Sequence, residues 1–144
     1  MPQLTFPIVS DGLVVDVRVN LDASLLLPLH ARGQAPSALS GKGMIDTGSN
    51  VSGVGPTILQ QLGVQSIGTT STVGIGGPHP VQLYRVSLHI CDLQNLGLPW
   101  FTHPALVVMD LPPWVSCEAL IGLDVLRTCK TTVDGPAGRF TLEF

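Results

Sequence analysis

The sequence predicts an all-β protein, and three observations lead to that prediction. Glycine and proline recur along the whole chain, with 16 glycines and 12 prolines among 144 residues. The short apolar segments between them are rich in valine, leucine and threonine, which favour strands. Turn signals such as Asp11-Gly12 and Asp134-Gly135 separate these segments, as expected for strands joined by hairpins. The length fits one domain, so residues 1–144 are predicted to fold as a single unit.

The apolar segments define the predicted strands, and two further segments favour short helices. Val15, Val17 and Val19 alternate along the second segment, which places them on one face of a strand. A helix is expected at residues 56–62 because proline suits the first helical position and Gly63 suits the end. A second short helix is expected at residues 123–128. The predicted strands are residues 4–9, 13–19, 69–73, 81–90, 105–109, 131–133 and 140–144.

Residues 21–41 are predicted to be an insertion or a surface loop. The three leucines 25–27 could extend a strand, but Pro28 and the stretch at residues 31–40 indicate a loop.

The composition predicts a second buried surface and argues against several classes of partner. Charged residues make up 12% of the chain, against about 25% in an average soluble domain. With so few charged residues, part of the surface is expected to be apolar, and a subunit interface would cover it. The net charge of −3 argues against nucleic-acid binding. No apolar run approaches the roughly 18 residues of a membrane span, and the N-terminal segment lacks signal-peptide features. We therefore expect no membrane partner.

The cysteine, histidine and aromatic residues do not predict a cofactor or metal site. The three cysteines are an odd number without metal-type spacing, which favours reduced thiols in a cytoplasmic protein. The sequence alone leaves open whether two of the three cysteines form a disulfide. The four histidines show no ligand spacing. Trp100, Phe101 and Trp114 are interpreted as core or interface residues.

One stretch, Gly43 to Val54, carries a candidate for chemistry. Met44 and Ile45 lead as a short apolar strand to Asp46, and Thr47-Gly48-Ser49 follow at once as a tight turn. Gly48 is expected to take a positive φ and to let a ligand approach the backbone closely. A single Asp-Thr-Gly sequence is often an ordinary turn, so its meaning depends on the rest of the chain.

Two later segments make this turn resemble that of the retropepsin-like aspartic proteases. The first is the glycine-rich stretch Val73-Gly74-Ile75-Gly76-Gly77, at the position where that family has its flap. The second is the apolar segment at residues 119–126, which contains Gly122 and resembles the family's strand leading into a short helix. The resemblance runs from about residue 4 to the C-terminus. It implies a closed barrel or sandwich with a flap hairpin and one or two short helices.

The resemblance also implies an aspartic endopeptidase that acts on peptides or proteins without a cofactor. Such enzymes need two carboxylates that share one proton, so that one acts as base and the other as acid. The chain contains one Asp-Thr-Gly turn, so a homodimer would supply the second copy. The apolar terminal segments, residues 4–9 and 140–144, are then expected to pair across the subunit interface.

The resemblance assigns roles to individual residues. Asp46, Thr47 and Gly48 are the implied catalytic residues, and Ser49 is expected to donate a hydrogen bond to the Asp46 carboxylate. The residues implied to bind substrate are Gly48, Ser49, Asn50, Val73, Gly74, Ile75, Gly76 and Gly77.

Two positions depart from the pattern of the retroviral members. Asn50 stands where those proteins have an acidic residue, and Leu123 stands where they have an arginine. Both partners of the implied ion pair are missing together, so no charge is left unpaired. The sequence does not show what braces the turn instead.

Two alternative functions stay open at this point. In one, the fold serves as a catalytically silent module for dimerisation or peptide binding. In the other, the chain is an unrelated all-β ligand-binding barrel in which the Asp46 turn has no chemical role.

Overall fold

The computed structural model of the chain describes residues 1–74 and 76–144. This part contains ten strands and three helices, which confirms the predicted all-β class. The strands are β1 Gln3–Val9, β2 Gly12–Leu21, β3 Leu39–Ile45, β4 Gly53–Val54, β5 Gly68–Gly74, β6 Gly77–Cys91, β7 Phe101–Asp110, β8 Ala119–Ile121, β9 Lys130–Asp134 and β10 Arg139–Glu143. The helices are α1 Ala23–Ala31, α2 Pro56–Leu62 and α3 Leu123–Leu126.

Six of the strands close into a ring, as the barrel prediction requires. Their order is β6-β7-β4-β8-β3-β2, and β2 pairs again with β6 to complete the ring. The side chains of Val15, Val17 and Val19 on β2 are all fully buried, which confirms the predicted alternation. β5 extends the sheet beyond β6, while β1, β10 and β9 extend it beyond β2.

The two terminal strands pair with each other within one chain. β1 runs antiparallel to β10, with Gln3 opposite Glu143 and Pro7 opposite Arg139. The rings of Phe6 and Phe140 stack with their centroids 5.5 Å apart. The expectation that these segments pair across a subunit interface is therefore wrong, because the β9–β10 hairpin returns the chain beside β1. β9 becomes the outer strand on this side of the sheet.

Ala23–Ala31 form a helix, which corrects the prediction of a loop for that part of residues 21–41, whereas residues 32–38 lack helix and strand as predicted. Leu25, Leu26 and Leu27 lie in α1 and not in a strand extension. Asp22 caps the helix, since its carboxylate accepts a hydrogen bond from the Ser24 backbone N–H at 2.8 Å. The Ser24 hydroxyl also donates to this carboxylate, and that bond lowers the pKa of Asp22 below its usual value. With α1, the described part has one short helix more than predicted.

The other two helices lie where the sequence predicts them. α2 begins at Pro56 and ends before Gly63, whose φ of 69° gives the left-handed helix end expected of glycine. α3 begins directly after Gly122 and ends at Leu126.

The described residues carry three free cysteines, so the disulfide left open by the sequence is absent there. Burial raises the pKa of each thiol above its usual value. Among the same residues, no helix has the length and apolar character needed to span a bilayer. Within residues 1–74 and 76–144, His, Cys, Asp and Glu side chains form no group of three or more suited to a metal ion.

Candidate active site

Asp46 lies at the point where β3 leaves the barrel. β3 runs parallel to β8, with Gly43 opposite Ala119 and Ile45 opposite Ile121. The backbone N–H of Asp46 continues this pairing by donating to the Ile121 carbonyl at 2.9 Å. The side chain of Asp46 is half-buried. The strand pairing therefore fixes the position from which the carboxylate projects.

Gly48 holds the Asp46 carboxylate through its backbone. The Gly48 N–H donates to Asp46 Oδ1 at 2.9 Å. A Cβ added to Gly48 would lie 3.2 Å from the same oxygen, closer than an ordinary van der Waals contact. The expected positive φ is wrong, because Gly48 is not among the positive-φ glycines of the described chain. The turn requires glycine for close approach to the carboxylate. Thr47, the remaining implied catalytic residue, is exposed to solvent.

Ser49 stabilises the turn through a different bond from the one expected. Its hydroxyl donates to the Val51 carbonyl at 2.7 Å. Because a hydroxyl has one proton, the predicted donation to Asp46 is wrong in this structure. The backbone N–H of Ser49 donates to the Asp46 carbonyl at 3.3 Å, which closes the turn.

Gly122, in the apolar segment at residues 119–126, lies directly behind this turn. The N–H of Leu123 donates to the Ser49 carbonyl at 2.8 Å. A Cβ on Gly122 would lie 2.8 Å from the Ser49 oxygen and 3.0 Å from the Val51 oxygen. Any larger residue would push the turn away from the strand, so glycine is required here for space.

The brace that the sequence leaves undetermined consists of Ser52 and Asp124. The Ser52 hydroxyl donates to Asp124 Oδ1 at 2.6 Å, and the Ser52 N–H donates to Asp124 Oδ2 at 2.8 Å. The same hydroxyl accepts a bond from the Gly122 N–H at 2.9 Å. Ser52 is only 1% exposed. These three bonds tie the turn to α3, in the region where retroviral members were expected to use an ion pair.

Sequence reasoning missed this pair because each residue has an ordinary local explanation. Asp124 lies in the first turn of α3, where an acidic side chain is favourable in any helix. Ser52 stands two residues after Asn50, which is exposed and carries no charge. No local signal in the sequence marks Ser52, because its burial and its contact with Asp124 depend on the fold.

The glycine-rich segment forms the tip of a hairpin. β5 and β6 pair up to Gly74 and Gly77, and Gly77 has a φ of +95°. Val73 lies near the tip and is 79% exposed. Ile75, which was expected to bind substrate, lies outside the described residues.

A cleft of about 990 Å³ lies between the hairpin and the Asp46 turn. The turn contributes Asp46, Gly48, Ser49 and Asn50 to its walls. The hairpin contributes Val73, Gly74, Gly76 and Gly77. The structure thus brings the two predicted halves of the site to one cavity.

The lining of the cleft includes two aromatic residues that the sequence did not assign to the site. The rings of His79 on β6 and Trp114 lie with their centroids 5.1 Å apart. Trp114 is 71% exposed, so of its two interpretations, core or interface, the core one is wrong and the interface one stays a prediction. Leu111, Val115 and Leu120 add apolar side chains to the lining. The lining of the cleft therefore combines a carboxylate with apolar and aromatic side chains.

Comparison with solved structures identifies the fold to which this site belongs. The chain is similar to the crystal structure of a retropepsin-like aspartic protease from Rickettsia conorii, at 11% identity and a TM-score of 0.57. That alignment covers 97% of this chain and 89% of the other. The solution structure of the simian foamy virus (mac) protease is 12% identical, with a TM-score of 0.44 and coverages of 79% and 91%. No protein-family model and no curated protein matches the sequence. The chain has a retropepsin-like fold, as its motifs predict.

Proposed function

We propose that this protein is an aspartic endopeptidase that hydrolyses peptide bonds as a homodimer. One observation carries the proposal: the Asp46 carboxylate is held by a backbone N–H at 2.9 Å on the wall of a cleft of about 990 Å³. A cleft of this size accommodates several residues of an extended peptide. The description of the Rickettsia conorii protein as an aspartic protease supports the same reaction class.

The chemistry follows from pairing two such carboxylates. Two carboxylates a few ångströms apart cannot both ionise comfortably, so the pair shares one proton. The ionised member takes a proton from the attacking water, and the protonated member gives its proton to the amide nitrogen that leaves. One chain provides one Asp46, so a second chain completes the pair across a two-fold axis.

The substrate in this proposal is a peptide or an exposed segment of a protein, bound as an extended strand. The apolar lining residues Leu111, Val115 and Leu120 favour apolar substrate side chains. The β5–β6 hairpin serves as the cover that opens for entry and closes over bound peptide. Hydrogen exchange with and without a peptide-like inhibitor tests this role. Protection of residues 73–81 on binding is expected, and unchanged exchange there would remove the hairpin from its role.

The location and the remaining partners are also part of the proposal. The three free thiols fit a reducing compartment, so we propose a cytoplasmic location. The net charge of −3 fits a protein that works without nucleic acid.

Substitution of the proposed catalytic residue tests the function directly. Asp46→Asn should abolish cleavage of a mixed peptide library while leaving the circular dichroism spectrum unchanged, since the two side chains are nearly isosteric. Asp11→Asn is the matched control, because Asp11 is an exposed carboxylate in a hairpin turn. Retained cleavage by the Asp46→Asn protein would refute the proposed role. Binding of peptides by a wild-type protein that never cleaves them would identify the catalytically silent module instead.

A further inference from the structure

A second cavity, here called the outer cavity, lies outside the barrel and has a volume of about 630 Å³. The valines of β2 face the core, so Arg18 and Asn20, which alternate with them, project from the opposite face of the strand. Both line the outer cavity. The other lining residues come from α1 and the loop after it, and they are His30, Gly33, Ala35, Pro36, Ser37 and Ala38. Among the described residues, none lines both this cavity and the Asp46 cleft.

Asn20 attaches the loop after α1 to the barrel. Its side-chain amide group donates to the Pro36 carbonyl at 3.1 Å, and its Oδ1 accepts from the Leu21 N–H at 2.8 Å. Asn20 is only 6% exposed, so these bonds are shielded from water. The wall of the outer cavity is therefore fixed before any ligand binds, as is usual for a binding site.

Arg18 is a half-buried cation without an anionic partner in the described part of the chain. Its Nε is buried and makes no hydrogen bond there. Neither ion pair of the described chain includes Arg18. Asp16 lies two residues away on the same face, but its carboxylate accepts from Lys42 and from the Leu93 N–H, the latter at 3.0 Å. A charge that is partly removed from water is normally paired, because its desolvation costs free energy.

An aromatic ring positions the guanidinium of Arg18 instead. Arg18 Cζ lies 5.3 Å from the centre of the Trp100 ring, where the face of the ring attracts a cation. His89 lies directly opposite Arg18 on β6, and its ring is 5.9 Å from that of Trp100. His89 Nδ1 already shares a hydrogen bond with Thr102 Oγ1 at 2.9 Å. Stacking on Trp100 restricts the guanidinium without occupying its N–H donors, which lie in the plane of the group.

We propose that the outer cavity binds a small molecule through an oxyanion, a carboxylate or phosphate group, that pairs with the guanidinium of Arg18. The planar guanidinium presents donors that match two oxygens of such a group. Because Nε is buried, the two terminal nitrogens are expected to make these bonds. His30 adds a ring N–H to the same cavity. The described lining residues include no aspartate or glutamate that would repel an anion. This inference goes beyond the proposed function, because it concerns a site that Asp46 does not line.

Titration with inorganic phosphate and, separately, with citrate provides the first test, followed by ¹H–¹⁵N NMR of the arginine side chains. The Nε–H signal of Arg18 should shift saturably, while that of Arg139, an exposed arginine on β10, should not. Sodium chloride at equal ionic strength separates binding from screening. Saturation by only one of the two anions identifies the phosphate or the carboxylate group as the one recognised. No saturable shift with either anion, or the same shift with chloride, would overturn the inference.

A charge placed in the cavity provides the second test. Ser37 lines the cavity and is exposed, so both Ser37→Asp and Ser37→Asn should fold. The added carboxylate repels the anion and competes for Arg18, so Ser37→Asp should raise Kd about tenfold or more. Ser37→Asn has nearly the same shape without the charge, and its Kd should stay within about threefold of wild type. Equal Kd values for the two variants would overturn the inference.

Substitution of the arginine itself provides the third test. Arg18→Lys keeps the positive charge but loses the planar set of donors, so Kd should rise about tenfold or more. Arg139→Lys is the matched control and should bind as wild type does. Urea unfolding shows whether the Arg18→Lys protein is folded, and if it is not, the two Ser37 variants decide. Wild-type affinity of folded Arg18→Lys protein would overturn the inference. All three tests measure binding without substrate, so their outcome is independent of peptide hydrolysis.

Discussion

The brace behind the Asp46 turn is expected to depend most strongly on the hydroxyl of Ser52. Ser52→Ala removes a bond to the Asp124 carboxylate at 2.6 Å and a bond from the Gly122 N–H at 2.9 Å. A hydrogen bond to a charged group contributes about 1.5–3 kcal/mol, and one between neutral groups about 0.5–1.5 kcal/mol. Because the site is buried, water cannot replace the lost partners. We expect the free energy of unfolding to fall by about 2–4 kcal/mol.

Ser49→Ala is a control that lies three residues away in the same turn. Its hydroxyl makes one bond, to the Val51 carbonyl at 2.7 Å, so its loss should cost about 0.5–1.5 kcal/mol. Urea unfolding of the two variants and wild type gives the comparison. For the proposed enzyme, kcat of the Ser52→Ala protein should fall about tenfold or more, since the brace positions Asp46. Equal stability losses in the two variants would refute the assignment of Ser52 as the brace.

Three further outcomes are expected from the same structure. Burial lowers the pKa of His89 below 6.5. As the pH falls from 6.5, His89 therefore takes up a proton in the unfolded chain before it does so in the folded chain, and the free energy of unfolding decreases. In the His89→Gln protein the free energy of unfolding should therefore decrease less steeply below pH 6.5. Urea unfolding at several pH values measures this, and the same pH dependence as in wild type would contradict it. Trp114→Ala should raise KM about 2- to 10-fold by removing the ring that contacts His79. Its melting temperature should stay at the wild-type value because Trp114 is 71% exposed, and unchanged peptide kinetics would exclude Trp114 from the substrate site. Gly122→Ala should destabilise the fold by about 1–3 kcal/mol, because the new Cβ would lie 2.8 Å from the Ser49 carbonyl oxygen. Thermal melting measures this loss, and a wild-type melting temperature would contradict the packing described for Gly122.

The features that the sequence predicts correctly depend on local chemistry. Alternation along β2 predicts buried valines because a strand has only two faces. Pro56 and Gly63 predict both ends of α2 because each restricts or frees the backbone at its own position. The order of the three motifs is enough to indicate the retropepsin-like fold, since the barrel brings them to one cleft.

The features that the sequence does not predict depend on which segments become neighbours. The bond partner of Ser49 could not be chosen between Asp46 and Val51 without the shape of the turn. Pairing of β1 with β10 within one chain required the position of the β9–β10 hairpin. The failure to predict helix α1 has a different cause, because the signal for this helix lies in the local sequence. Asp22 is a good helix cap, and Pro28 was given too much weight against it.

The claim that two Asp46 turns form one catalytic site is tested most directly by mixing. Asp46→Asn chains are added in increasing amounts to a fixed amount of wild-type chains, and subunits are allowed to exchange before cleavage of a reporter peptide is measured. If each site needs one carboxylate from each chain, only wild-type dimers are active. Activity per wild-type chain should then fall to about half at equal amounts and to about a quarter at a threefold excess. Activity per wild-type chain that stays constant as Asp46→Asn chains exchange into the dimers would contradict the shared site.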